Sequence, residues 1–190
     1  MANFTIIGTG SMGGAIGTVL TDGGSTVTHI GHERTGTVTG DVVILAVPYP
    51  AVGDIIAMYG DQLAGKVVVD ITNPLNFETF DSLVVPAGTS AAAEIAAKLP
   101  NSTVLKAFNT NFAATLTTKK VGSLQTTVLV AGDDDAAKRL LVTALEAGGV
   151  SAIDAGPLSR AHELEALGFL QLTLAVGEKL PWTGGFAVAL

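Results

Sequence analysis

Cysteine is absent from the chain, which excludes disulfides, thiolate metal sites and a cysteine nucleophile and agrees with a reducing compartment. Charge is scarce as well, with 14% charged against 48% hydrophobic residues. So apolar a chain either buries both faces of a parallel sheet or covers surface by forming an oligomer. The few charges lean acidic, 10 basic against 17 acidic and a formal net of −7. With no run of Lys or Arg, there is no basic face for nucleic acid or an anionic membrane. A basic n-region and h-region are missing at the start, and no apolar stretch reaches the roughly 18 residues that cross a bilayer, so the expected location is cytoplasmic. No nucleophile motif, zinc spacing, paired-carboxylate signature, low-complexity linker or internal repeat occurs.

What is present is glycine, 23 residues of it, and one cluster near the start. Phe4-Thr5-Ile6-Ile7-Gly8-Thr9-Gly10-Ser11-Met12-Gly13-Gly14 reads as a buried strand entering a glycine turn and then a helix. Gly8 permits the tight turn, Gly10 leaves a pyrophosphate unobstructed, and Gly13 lets the helix lie close on the sheet. The helix start near Ser11 then offers N–H groups and a positive dipole end to the ligand's negative charge. A purely structural tight turn is the other reading of the same residues.

Alternating apolar runs continue along the chain. The first helix spans about Ser11 to Leu20, with Gly13 and Gly17 on one face and Ile16, Val19 and Leu20 as apolar contacts; Ser25 to Ile30 is the second strand. The next strand, Asp41 to Val47, follows after only about ten residues, so the helix and strand that a usual dinucleotide fold places between them are missing. A helix from Ala51 to Tyr59, a strand from Lys66 to Ile71, a helix from Ser90 to Leu99 and a strand from Thr103 to Ala107 follow. The remainder repeats the alternation as a smaller unit. It has a strand from Thr126 to Ala131, a helix opened by Asp133-Asp134-Asp135 with Ala137, Leu140, Leu141, Ala144 and Leu145 on one side, a strand from Ser151 to Asp154, and a helix capped by Ser159 that runs to Gly177. The expected fold is a single-domain α/β chain, a Rossmann-like doubly wound and mostly parallel sheet over residues 1–177, with a tail at 178–190.

Candidate site residues lie at the strand ends. The cofactor's 2′ position is read after the second strand, where no acid stands at the last strand position. His32 and Arg34 suit a 2′-phosphate, so NADP(H) is preferred over NAD(H); Glu33 between them opposes the preference, and all three also fit a solvated turn. Ala46, Val47 and Pro48 are expected to border the nicotinamide ribose, with Asn73 and Pro74 on the same rim, although proline also simply terminates strands. Asn109 and Thr110 follow the next strand and suit a carboxamide or an acceptor ring, or else cap their own backbone. The Asp133–Asp135 run is better read as helix capping than as a metal site, and His162 and Glu163 as surface residues.

Several stretches in order, Ile7-Gly8-Thr9-Gly10-Ser11-Met12-Gly13, Ala46-Val47-Pro48, Val104 to Thr110, Val130 to Asp134 and Asp154-Ala155-Gly156-Pro157-Leu158, resemble the NADP oxidoreductases that use the deazaflavin coenzyme F420. That set includes the cytosolic reductase domain of transmembrane ferric reductases. The resemblance implies nicotinamide along the strand ends, a deazaflavin or flavin stacked on it as second redox cofactor, and direct hydride transfer. It places Thr9, Ser11 and Met12 on the pyrophosphate, Val47 and Pro48 by the nicotinamide and Asn109 by the ring pair. Family members usually carry Ser-Arg or Arg-Arg where this chain has His32-Glu33-Arg34. The tail around Trp182 either covers the acceptor site, meets a homodimer partner or packs as a terminal aromatic. The rival enzyme class, an imine or β-hydroxyacid reductase, needs a helical substrate domain for which the last helix and tail are too short. A nucleotide-sensing module without turnover is the rival of another class.

Overall fold

The computed structural model describes residues 2–33 and 35–189. Arg34, expected at the 2′ position, lies outside them. Strand β1, Asn3–Ile7, is buried over its last four residues, as a continuous Phe-Thr-Ile-Ile run requires when helices cover both faces. Helix α1, Ser11–Asp22, turns Gly13, Ala15, Ile16, Gly17, Val19 and Leu20 inward. Gly17 is small for a reason: a Cβ there would lie 2.8 Å from the His29 ring on the neighbouring strand.

The chain then builds β2 at Thr26–Ile30 and β3 at Val42–Leu45, a 3-10 turn at Tyr49–Ala51, and α2 at Val52–Leu63. After β4 at Val67–Asp70 come α3 at Ala91–Lys98, β5 at Thr103–Lys106 and α4 at Ala113–Thr118. A small hairpin of β6, Lys120–Val121, and β7, Leu124–Gln125, precedes β8 at Thr127–Gly132 and α5 at Asp135–Ala147. Strand β9 at Ser151–Gly156, a 3-10 turn at Leu158–Arg160 and α6 at Ala161–Val176 complete the order.

Seven strands join in the order β2-β1-β3-β4-β5-β8-β9. Pairing is parallel from β2 to β5, antiparallel between β5 and β8, and parallel again to β9. The register sets Ile7 beside Ile30 on one side and Leu45 on the other, so the chain changes side of the sheet at the end of β1. That is the topological switch point at which open α/β sheets bind ligands. Apolar clusters fill both faces, one around Ile6, Ile16, Leu105 and Leu141, the other around Leu45, Ile55, Tyr59 and Val68.

The shortened connection is as expected, and side chains of its neighbours hold it: Gln62 Oε1 accepts from Val38 N at 2.9 Å and Lys66 Nζ donates to Gly40 O at 2.7 Å. Thr5 Oγ1 accepts from Gly40 N at 2.8 Å and Thr39 N at 3.3 Å, while buried Val38 joins the core where the missing elements would have packed. The smaller second unit belongs to the same sheet, as the expected single domain requires, because α4 and the hairpin reverse the chain so that β8 extends it antiparallel. Two expectations need correction. Ser159 does not cap the last helix: it lies inside the 3-10 turn, which feeds α6 with no side-chain cap. Leu140 is 37% exposed while Ala137, Leu141, Ala144 and Leu145 are buried, because the inward stripe of α5 is too narrow to include it. Asp134 does cap that helix, accepting from Ala137 N at 2.8 Å.

Candidate cofactor site at the carboxyl edge of the sheet

Gly8 leaves β1 at φ +123°, and a Cβ on it would fall 2.1 Å from the Ala46 carbonyl oxygen. Only glycine tolerates that backbone and that approach. Its N–H donates to Ile30 O and Ala46 N donates to Ile7 O, each at 2.9 Å, so the turn is fastened to both neighbouring strands. A Cβ on Gly13 would sit 2.3 Å from Gly8 O, which is how closely α1 seats on the turn. At Gly10 the situation reverses: a Cβ would meet nothing within 4 Å. Gly10 is the N-cap of α1, no side chain caps it, and the first turn holds no acid. The free N–H groups of the helix start therefore face open space, an arrangement suited to a diphosphate.

Three clefts meet there. The first, about 390 Å³, runs over Gly8, Thr9, Gly10 and His32 to Val47 and Pro48. The second, about 370 Å³, shares Gly10 and Ala46–Pro48 and continues over Ser11 and Met12 to Thr72 and Asn73. The third, about 330 Å³, shares Ser11, Met12 and Asn73 and ends between Asn109, Phe112 and Trp182. Together they form one trough that passes the glycine turn. It brings together Gly8, Thr9, Gly10, Ser11, Met12, His32, Ala46, Val47, Pro48, Asn73 and Asn109, with Gly13 buried beneath. Pro74 and Thr110 line none of these clefts. Pro74 is buried and its carbonyl takes the Val84 N–H at 2.7 Å, while the Thr110 carbonyl takes a hydrogen bond from Gln171 Nε2 at 3.1 Å.

The far end of the trough is built from amides. Asn73 Nδ2 donates to Asn109 O at 2.9 Å, and Asn109 Nδ2 donates to Asn73 Oδ1 at 3.0 Å and to Leu164 O at 2.8 Å. Helix α6 presses on this pair through Gly168, where a Cβ would lie 2.3 Å from Asn73 Oδ1. Phe108 takes φ +64°, a left-handed backbone costly for a bulky residue, as the chain leaves β5 toward Asn109. The carboxamide oxygens of Asn109 and Asn111 are buried with no partner in the protein. Trp182 packs on Phe112, centroids 4.9 Å apart, and the tail is tied down by Phe186 N donating to Gln171 Oε1 at 3.0 Å.

Beneath the trough lies a group that sequence reasoning missed. Lys106 Nζ is 2.7 Å from Asp70 Oδ2, 2.8 Å from Glu165 Oε1 and 2.6 Å from Thr72 O. Burial pushes the Glu165 carboxyl above its ordinary value, and Lys106 only partly pulls it back. Nearby, the Tyr49 hydroxyl donates to Glu94, and burial together with that carboxylate raises its pKa. The signal was in the strands themselves: Asp70 ends Val-Val-Val-Asp and Lys106 ends Thr-Val-Leu-Lys. Opposite charges closing two adjacent apolar strands imply a buried pair, and the register indeed sets them side by side. His162 and Glu163 are exposed, the former against Thr89 O and the latter paired with Arg160.

Residues 27–74, from β2 to the Asn73-Pro74 rim, match the family described as NADP oxidoreductase coenzyme F420-dependent. The F420-dependent NADP reductase of Methanocaldococcus jannaschii is 33% identical over 149 residues, covering 76% of this chain and 66% of that protein. The metalloreductase STEAP3 of Rattus norvegicus is 37% identical over 108 residues, covering 56% of this chain and 21% of its own length. A crystal structure from Arthrobacter sp. FB24, described as an F420-dependent NADP-reductase, superposes with TM-score 0.85 at 23% identity over 100% of both chains, which shows the shared fold. No helix among the described residues is long and apolar enough to cross a membrane.

Proposed function

Because the chain belongs to the coenzyme F420-dependent NADP oxidoreductase family, we propose that it transfers hydride between NADP(H) and a deazaflavin or flavin acceptor, as a cytoplasmic homodimer. The observation that carries this reading is the continuous trough that passes an uncapped helix start and ends in an amide-lined cavity beside Trp182. The helix start fits a diphosphate, since Gly10 leaves space above it and no first-turn acid repels the charge.

In this reading the backbone N–H groups of Thr9, Ser11 and Met12 hold the diphosphate, and His32, with Arg34, holds a 2′-phosphate in preference to a hydroxyl. Ala46, Val47, Pro48 and Asn73 form the walls for the nicotinamide. The bound nucleotide supplies the hydride. Asn109, fixed by Asn73 and Leu164, orients the acceptor ring, and Thr110 supports it from behind through Gln171. Phe112 and Trp182 exclude water from the ring pair. The homodimer rests on α6, whose apolar residues run around the helix and leave Leu170 49% and Val176 44% exposed, with Phe186 also exposed on the tail.

A nucleotide sensor without turnover is favoured by one feature, the short loop 31–41 on the adenine side. Titration of NADPH and NADH against Trp182 fluorescence, followed by NADPH oxidation assays with deazaflavin, flavin and ferric acceptors, separates the readings. NADPH oxidised by deazaflavin or flavin supports the proposal, and oxidation by ferric complexes alone favours a metalloreductase. Tight binding without turnover favours the sensor, and absence of nucleotide binding overturns all three.

A further inference from the structure

The charges under the trough take no part in that hydride transfer, yet they are built with care. Lys106, Asp70 and Glu165 have side chains 0%, 0% and 1% exposed. Asp70 receives Lys106 on one oxygen and Thr72 N at 2.8 Å on the other. Glu165 receives Lys106 and, at 3.3 Å, Ala92 N on one oxygen, and Ala91 N at 2.9 Å on the other. All four carboxylate oxygens thus accept from donors, the arrangement that suits two ionised groups. Two carboxylates face one ammonium, so the cluster carries one negative charge in excess, offset in part by the start of α3. Thr72 is held by both Lys106 and Asp70 and itself lines the cleft between Pro48 and Asn73. The excess charge therefore sits directly behind the floor of the trough.

We propose that this buried excess negative charge, Asp70 and Glu165 against Lys106, makes the protein hold the oxidised, cationic nicotinamide more tightly than the reduced, neutral one. The inference rests on the reading above that the nicotinamide lies in this cleft. Loss of hydride from the nicotinamide carries two electrons and one proton to the acceptor and leaves the ring with a positive charge. A fixed negative charge nearby favours that product and disfavours nothing in the neutral reactant. At roughly 10 Å and an effective dielectric of about 20, one charge shifts the ratio of the two dissociation constants about tenfold. For a two-electron couple a tenfold shift makes the bound nucleotide about 30 mV more reducing.

Calorimetric titration of NADPH and NADP+ tests this in mildly alkaline buffer, with the wild type, Glu165→Gln, Asp70→Asn and the double variant Lys106→Met/Glu165→Gln. The two single variants have a neutral cluster and the double variant regains one negative charge. The expected result is an approximately tenfold loss of preference for NADP+ in either single variant, with NADPH affinity nearly unchanged, and recovery in the double variant. Equal weakening of both nucleotides, or an unchanged ratio, overturns the proposal and leaves the cluster as scaffolding. If Glu165→Gln fails to unfold cooperatively, Asp70→Asn decides by the same criterion. A wild type that binds neither nucleotide overturns the functional reading itself, an outcome distinct from binding with an unchanged ratio.

Discussion

A methyl group added at Gly10 would project into open space, whereas one added at Gly13 would run into the Gly8 carbonyl at 2.3 Å. Packing therefore requires glycine at 13 and not at 10, and the proposed function gives Gly10 its reason, the room it leaves for a diphosphate. Gly10→Ala should keep its stability within about 0.5 kcal/mol, because its backbone at φ −70° is open to alanine, while nucleotide affinity falls severalfold. Gly13→Ala should lose about 2 kcal/mol or more from the forced separation of helix and turn, measured by urea unfolding. The spacing of the motif made the close seating of Gly13 legible, and the open space over Gly10 agrees with the role expected of it. Of the buried charges, Asp70 and Lys106 left a signal at the ends of two apolar strands, but Glu165 was harder to read, because only the packing of α6 brings it to Lys106. Their titration is a second check. The Glu165 carboxyl, raised by burial above its ordinary 4.5, binds its proton more tightly folded than unfolded. Its contribution to stability is thus complete below pH 4.5 and lost as pH rises through the folded value. Denaturation midpoints of the wild type should decline over that rise relative to Glu165→Gln. The pair of buried Lys138 with Asp154 and the exposed pair of Glu163 with Arg160 are common to both proteins and cancel.

At the level of elements, the strands and their covering helices were legible because each run of Val, Ile and Leu is bounded by glycine, proline or a cap such as Ser90, which accepts from Ala93 N at 3.1 Å. The missing helix and strand were legible too, since about ten residues cannot hold both. The direction of β8 was not, because a buried run such as Thr-Val-Leu-Val-Ala-Gly carries no mark of parallel or antiparallel pairing. Helix α4 and the hairpin also escaped notice, the first through the threonine-rich Ala-Ala-Thr-Leu-Thr-Thr, whose β-branched residues disfavour helix until tertiary packing overrides them. Thr5 is one of the side chains that hold what replaces the missing elements. Thr5→Val keeps the shape but strips the acceptor from Gly40 N and Thr39 N. Leaving these donors unsatisfied should cost about 1–3 kcal/mol, and hydrogen exchange should show faster amides in the loop 35–40 than elsewhere. Unchanged exchange there would mean that buried Val38, with Gln62 and Lys66, holds the loop without Thr5.

On the scale of the whole molecule, the fold delivers one edge at which the ends of β1 to β5, a helix start and the tail converge. The candidate site was only partly legible, because the glycine turn and the 46–48 rim follow from local sequence while the trough's far end needs α6 and the tail folded back. Gly168 illustrates the difficulty: nothing in its neighbourhood in the chain says that it must pass the Asn73–Asn109 pair. The exposed apolar face of α6 carries a mass prediction, a dimer by light scattering that Leu170→Glu converts to monomer; a monomeric wild type would contradict it. The central claim is that backbone amides at the start of α1 grip a diphosphate and so aim the nicotinamide at Asn73. Crystals grown with excess NADP+ test it most directly. The account predicts diphosphate density on the N–H groups of residues 9–12 with the nicotinamide between Pro48 and Asn73, and a turn left empty, or nucleotide bound elsewhere, would contradict it.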